Sequence, residues 1–140
     1  MEKGHLRRKI YSYALTAAVF AVVALPFGSA YAASSSYSFA MLMRTDGCAN
    51  GEMHPLNAGT AHISGSTSSP TSSGIHVLYT LHRDVFGPNP SYGTVDGNVN
   101  TSFTGTFPTA ISATGTNYCI EIWRGSSDGF TVTGSGTLYN

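Results

Sequence analysis

From Tyr37 onward, apolar and polar side chains take turns along the chain with a period of two, and no stretch has helical periodicity. Strict alternation marks a strand with one buried face and one wet face. In the first run Tyr37, Phe39, Met41 and Met43 share one side, with Ser38, Ala40, Leu42 and Arg44 on the other. A short strand is expected around Ala61 and Ile63, then a Ser/Thr-rich loop over 64–74 that contains Pro70. Ile75, Val77, Tyr79 and Leu81 define a strong strand, backed by His76, Leu78, Thr80 and His82. Residues 84–97 carry Pro88, Pro90, Gly87 and Gly93 and read as a long loop.

Val99, Thr101, Phe103, Gly105 and Phe107 alternate next, and Pro108 ends that strand because it cannot donate to a ladder. Ile111 is expected at an edge. Tyr118, Ile120 and Ile122 then oppose Cys119, Glu121 and Trp123. A hairpin loop over 125–129 leads to a last strand with Phe130, Val132, Gly134, Gly136 and Leu138 inward. About six or seven short strands joined by loops predict an all-β fold, a small antiparallel β-sandwich of jelly-roll or immunoglobulin-like type. One sheet alone cannot bury an apolar face, so two must pack together.

The N-terminal segment reads differently. Lys3, Arg7, Arg8 and Lys9 precede an apolar stretch from Ala14 to Leu25, and Ala30-Tyr31-Ala32 has the small-x-small form of a cleavage site. Basic, apolar and small, in that order, is a secretory signal peptide. Residues 1–32 are therefore assigned to the leader and 33–140 to one secreted domain. The apolar run is short for a membrane span, so no stable insertion is expected after cleavage.

Without the leader, 108 residues remain, with three arginines, six carboxylates and no lysine, a net charge of −3. A chain with no basic excess does not find nucleic acid by charge. Ser, Thr, Gly and Asn supply 52 of the 108 residues, which fits wet sheet faces and turns. Cys48 and Cys119 are the only cysteines, and in an exported protein such a pair reads as a disulfide. No Cys-x-x-Cys or ligand-spaced histidines accompany them, so no metal or other cofactor is expected.

Candidate chemistry is sparse. Asp46, Asp96 and Asp128 each precede Gly and are read as turn residues. The disulfide would bring Glu52 and His54, just past Cys48, toward Glu121 and Trp123, just past Cys119. These four are the candidate binding residues, with Trp123 as the aromatic anchor. His76 and His82 share a strand face but stand about 20 Å apart, too far for one metal. His62 is left as a partner for either. Thr131, Thr133, Ser135 and Thr137 form a hydroxyl rank that Thr104 and Thr106 resemble. Ordered ranks of this kind serve some ice-binding sheets, but single short ranks read as an ordinary polar face.

No catalytic constellation is readable. The expected function is a secreted, non-enzymatic binding or assembly module that meets an extracellular protein or glycan surface. The alternatives are a small secreted hydrolase using Glu52 and Glu121, and a secreted toxin or inhibitor.

Overall fold

The computed structural model describes residues 32–45, 48, 52–71, 74–126 and 128–140. The leader assigned to 1–32 (Ala32 apart) and the Asp46-Gly47 turn lie outside these residues. Nine strands are present among them: β1 (Ser34–Met41), β2 (Arg44–Thr45), β3 (His54–Leu56), β4 (His62–Ser68), β5 (His76–Arg83), β6 (Ser91–Asn98), β7 (Ser102–Thr106), β8 (Gly115–Arg124) and β9 (Val132–Tyr139).

Their pairing is nested. β1 pairs with β9, β2 and β3 with β8, β4 with β7, and β5 with β6, all antiparallel. The chain is thus one long hairpin turned at residues 84–90. Rolling it up sets β4 beside β9 and β5 beside β8. The first sheet has the order β1-β9-β4-β7; the second has β2-β8-β5-β6, with β3 also on β8. Of the two sandwich types expected from sequence, this is the jelly roll.

The inner faces bury Tyr37, Ile63 and Leu138 from the first sheet against Val77, Tyr79, Leu81 and Ile120 from the second. Alternation was a sound guide on β1, β5 and β8. It failed where the inner side chains are small or the period breaks. All of β6 but Asn98 lies within the segment 84–97 that reads as a loop. It buries Tyr92 and Val95, three residues apart, because a bulge lies between them: the register slips opposite Thr80 and His82, and Gly93 adopts φ 101°. β4 runs on to Ser68, beyond the expected end, and its inner positions after Ile63 are Gly65 and Thr67. Gly65 is required there. It faces Gly136 across the ladder, and a Cβ on either residue would overlap the Tyr37 hydroxyl. β3 carries Pro55, tolerated because this strand pairs on one side only. Met43 and Phe130 were expected inside and are exposed, because β1 ends at Met41 and β9 starts at Val132.

Two features staple the roll. Cys48 is disulfide-bonded to Cys119, as expected, with Cα atoms 5.1 Å apart. The bridge pins the chain between β2 and β3 to the middle of β8, where neither short strand pairs. The second staple was not legible in the sequence. Arg124, at the end of β8, is only 1% exposed. Its guanidinium donates to the Leu42 carbonyl (2.5 Å) and the Phe130 carbonyl (2.8 Å) and meets the Asp128 carboxylate at 3.1 Å. Asp128 in turn accepts bonds from the Thr71 hydroxyl (2.5 Å) and the Phe130 amide (3.0 Å). Asp128 is therefore more than the turn residue expected. It links three loops at one end of the sandwich, and these bonds, that of Thr71 foremost, hold its carboxyl below the usual range.

Candidate functional site

β8 turns Cys119, Glu121 and Trp123 to the side opposite Ile120 and Ile122, as alternation requires; Cys119 is fully buried in its disulfide, and Glu121 and Trp123 are half-buried. Trp123 is half-buried, with Arg44 of β2 on one side in register and Leu78 of β5 on the other. β2 is held there by a double link between the Thr45 hydroxyl and the Ile122 backbone (3.3 and 3.4 Å). That link lets the Arg44 Nε reach the Glu121 carboxylate at 2.8 Å, while His82 Nε2 lies 3.4 Å from the other oxygen. Further across the sheet His76 Nδ1 meets both oxygens of Asp96, at 2.8 and 2.9 Å. Asp96 is thus a paired strand residue in β6, not the turn residue expected.

The exposed pair Arg44–Glu121 contributes at most about 1 kcal/mol to stability. Its effect is positional: it orients a carboxylate and a guanidinium beside the indole. His62 is on the first sheet, so it partners neither His76 nor His82. Among the described residues no group of three or more His, Cys, Asp or Glu is placed to hold a metal. None of their helices is long and apolar enough to cross a membrane.

The expected four-residue patch divides in two. His54 pairs in register with Tyr118, an inward residue, so its ring turns into the sandwich and is buried. There its Nδ1 meets the Ser35 hydroxyl of β1 at 2.9 Å. Glu52 and His54 line a cavity of about 310 Å³ along the open side between β1 and β2/β3, walled by Tyr37, Phe39, Ile120 and Ile122. Glu121 and Trp123 stand on the opposite face of β8. The paired-carboxylate arrangement that a glycosidase needs is therefore not built from Glu52 and Glu121. Alternation along β8 singles out Trp123 and Glu121, whereas the pairing of Arg44 and His82 with Glu121 follows only from the strand register.

Burial lowers the His54 pKa, and the nearby Glu52 charge opposes that shift only in part. The folded state thus binds this proton less readily than the unfolded chain does. Stability from His54 is whole above about pH 6.5 and falls as pH drops through the unfolded value toward the lower folded one. Urea midpoints measured from pH 8 to pH 5 should decline across this window, and His54→Gln should flatten the decline.

No protein-family model matches the chain, and no curated protein matches it. Two solved structures are similar. The Yersinia pseudotuberculosis-derived mitogen (YPM) aligns with 74% of this chain and 83% of its own, at 11% identity and TM-score 0.39. A structure of infectious bursal disease virus, Gt strain, aligns with 78% of this chain at 16% identity and TM-score 0.38. This chain spans about a third of that viral chain, 32% of it.

Proposed function

We propose that this protein is an extracellular binding module that takes a glycan surface on the outer face of its second sheet, with Trp123 as anchor. The observation that carries the reading is the partition of charge between the two sheets. Every Arg, Asp and Glu of the nine strands belongs to the second sheet, and none belongs to the first. On that face a half-exposed indole sits among Arg44, Glu121, His82, His76 and Asp96, all aligned by strand register. A flat ring flanked by oriented donors and acceptors stacks on a pyranose and reads its hydroxyls. The leader-like residues 1–32 and the disulfide support export.

The test is co-sedimentation with insoluble cell-wall glycan, chitin or cellulose. Wild-type protein should pellet with at least one of these, and Trp123→Ala should stay in the supernatant while melting at nearly the same temperature. Trp123→Ala that pellets like wild type would overturn the assignment, as would wild-type protein that pellets with none.

A further inference from the structure

The outer face of the first sheet has an order of its own. β4, β7 and β9 each contain hydroxyl–Gly–hydroxyl: Ser64-Gly65-Ser66, Thr104-Gly105-Thr106, and Thr133-Gly134-Ser135-Gly136-Thr137. The roll makes these strands neighbours and adds the serines of β1. One row across all four strands reads Ser36, Thr137, Ser64 and Thr104. The next reads Ser38, Ser135, Ser66 and Ser102. The sequence displays single short ranks; the register joins them into a two-dimensional net, about 4.8 Å between strands and about 6.8 Å along them.

Three observations set this net apart from an ordinary wet face. Soluble domains are about a quarter charged and this chain is 10% charged, yet the four strands hold no Asp, Glu, Lys or Arg. None of the eight hydroxyls in the two rows is hydrogen-bonded to a partner among the described residues. On the other sheet Thr80 bonds Thr94, and Glu121 and Asp96 are ion-paired. Finally, the net has a stiff backing. Beneath it the Gly65–Gly136 pair and Gly134 leave room for the Tyr37 hydroxyl and the Phe39 ring, and both rings pack edge-on to Tyr79.

A neutral, regular array of free groups, each able to donate and accept, matches a neutral, regular array of the same kind. Water in ice is such an array, with oxygen repeats of similar size on its prism faces. Charged side chains hold water in arrangements foreign to that lattice, and here they are absent. A glycan site would place an aromatic platform or carboxylate and amide forks within these rows; the ring pair on this face, His62 stacked on Tyr139, lies in the row beside them, and a face between two copies of this chain would be more apolar at its centre.

We propose that the outer face of the first sheet is an ice-binding face, with these two hydroxyl rows as its contact net. The test uses the oxidised protein with single ice crystals grown in its solution, and with recrystallisation followed in a frozen film. Faceted crystals, a gap between melting and growth temperatures, and small stable grains are expected. Thr137→Lys and Ser66→Lys should each abolish all three while keeping the wild-type near-ultraviolet circular dichroism. Ser112→Lys, in the exposed loop before β8, should keep all three. Round crystals with no gap in wild-type protein would overturn the proposal. So would full activity in folded Thr137→Lys and Ser66→Lys. Adsorption to crystalline cellulose or chitin that these two variants abolish, without any effect on ice, would assign the face to a glycan instead. The assay does not involve Trp123, so it stands or falls separately from the binding proposed for the second sheet.

Discussion

Arg124→Ala is expected to destabilise the domain by about 3–5 kcal/mol, because it removes a buried guanidinium together with its charge-assisted bonds to two backbone carbonyls. The Leu42 and Phe130 carbonyls would lose their guanidinium donor, and Asp128 would lose its nearest cation. For a domain of this size the melting temperature should fall by on the order of 15 °C or more. Arg124→Lys should not restore it, since an ammonium cannot span three acceptors with the planar fork that guanidinium provides. The consequence reaches the binding face. The Arg124 guanidinium holds the Leu42 carbonyl, two residues before Arg44, so its loss loosens the chain that leads into β2 and sets Arg44 beside Trp123. A thermal scan of Arg124→Ala that overlays wild type would show that this end of the roll is held by something else.

Loss of the disulfide is the second large effect. The bridge closes a separation of 71 residues, and in the chain-entropy account a loop of that size stabilises by about 4 kcal/mol. Cys119→Ser, or reduction of wild-type protein, should lower the unfolding free energy by about 2–5 kcal/mol, read from guanidinium midpoints. Reduction of the Cys119→Ser variant should then change nothing further. Cys119 and Arg124 lie five residues apart on β8, about 17 Å, so their effects should add. The sum approaches the whole stability of a small domain, typically about 5–15 kcal/mol. The double variant is therefore expected to be largely unfolded at 37 °C.

Much of the fold was legible because β1, β5 and β8 keep a strict period of two with large inner side chains. The disulfide was legible from an isolated cysteine pair behind a leader-like segment. What escaped has physical causes. β6 hid behind a bulge at Gly93 that moves two inner residues three apart. The end of β4 looked like a loop because its inner positions are Gly65 and Thr67, chosen to make room for Tyr37 rather than to fill space. Arg124 reads as a surface cation at a strand end, and only the loops folded over it make it a core residue.

The site was half legible. Trp123 and Glu121 follow from the parity of one strand, and parity is local. Whether Glu52 and His54 join them depends on which face of β8 the returning chain reaches. His54 reaches the inner face because it pairs with Tyr118. The hydroxyl rows show the same limit more sharply. Each rank is visible in the sequence, but a net exists only once β9 is known to lie between β1 and β4.

The proposed binding face is the one around Trp123. Trp123 is the only tryptophan of the chain, so its fluorescence reports on that face alone. Titration of the oxidised protein with soluble oligosaccharides of cell-wall glycan, chitin and cellulose should shift and saturably change the indole emission for at least one of them. Glu121→Gln, which removes the charge beside the ring, should weaken the response. Emission that stays constant for all three, in protein whose melting curve is intact, would contradict binding at this face.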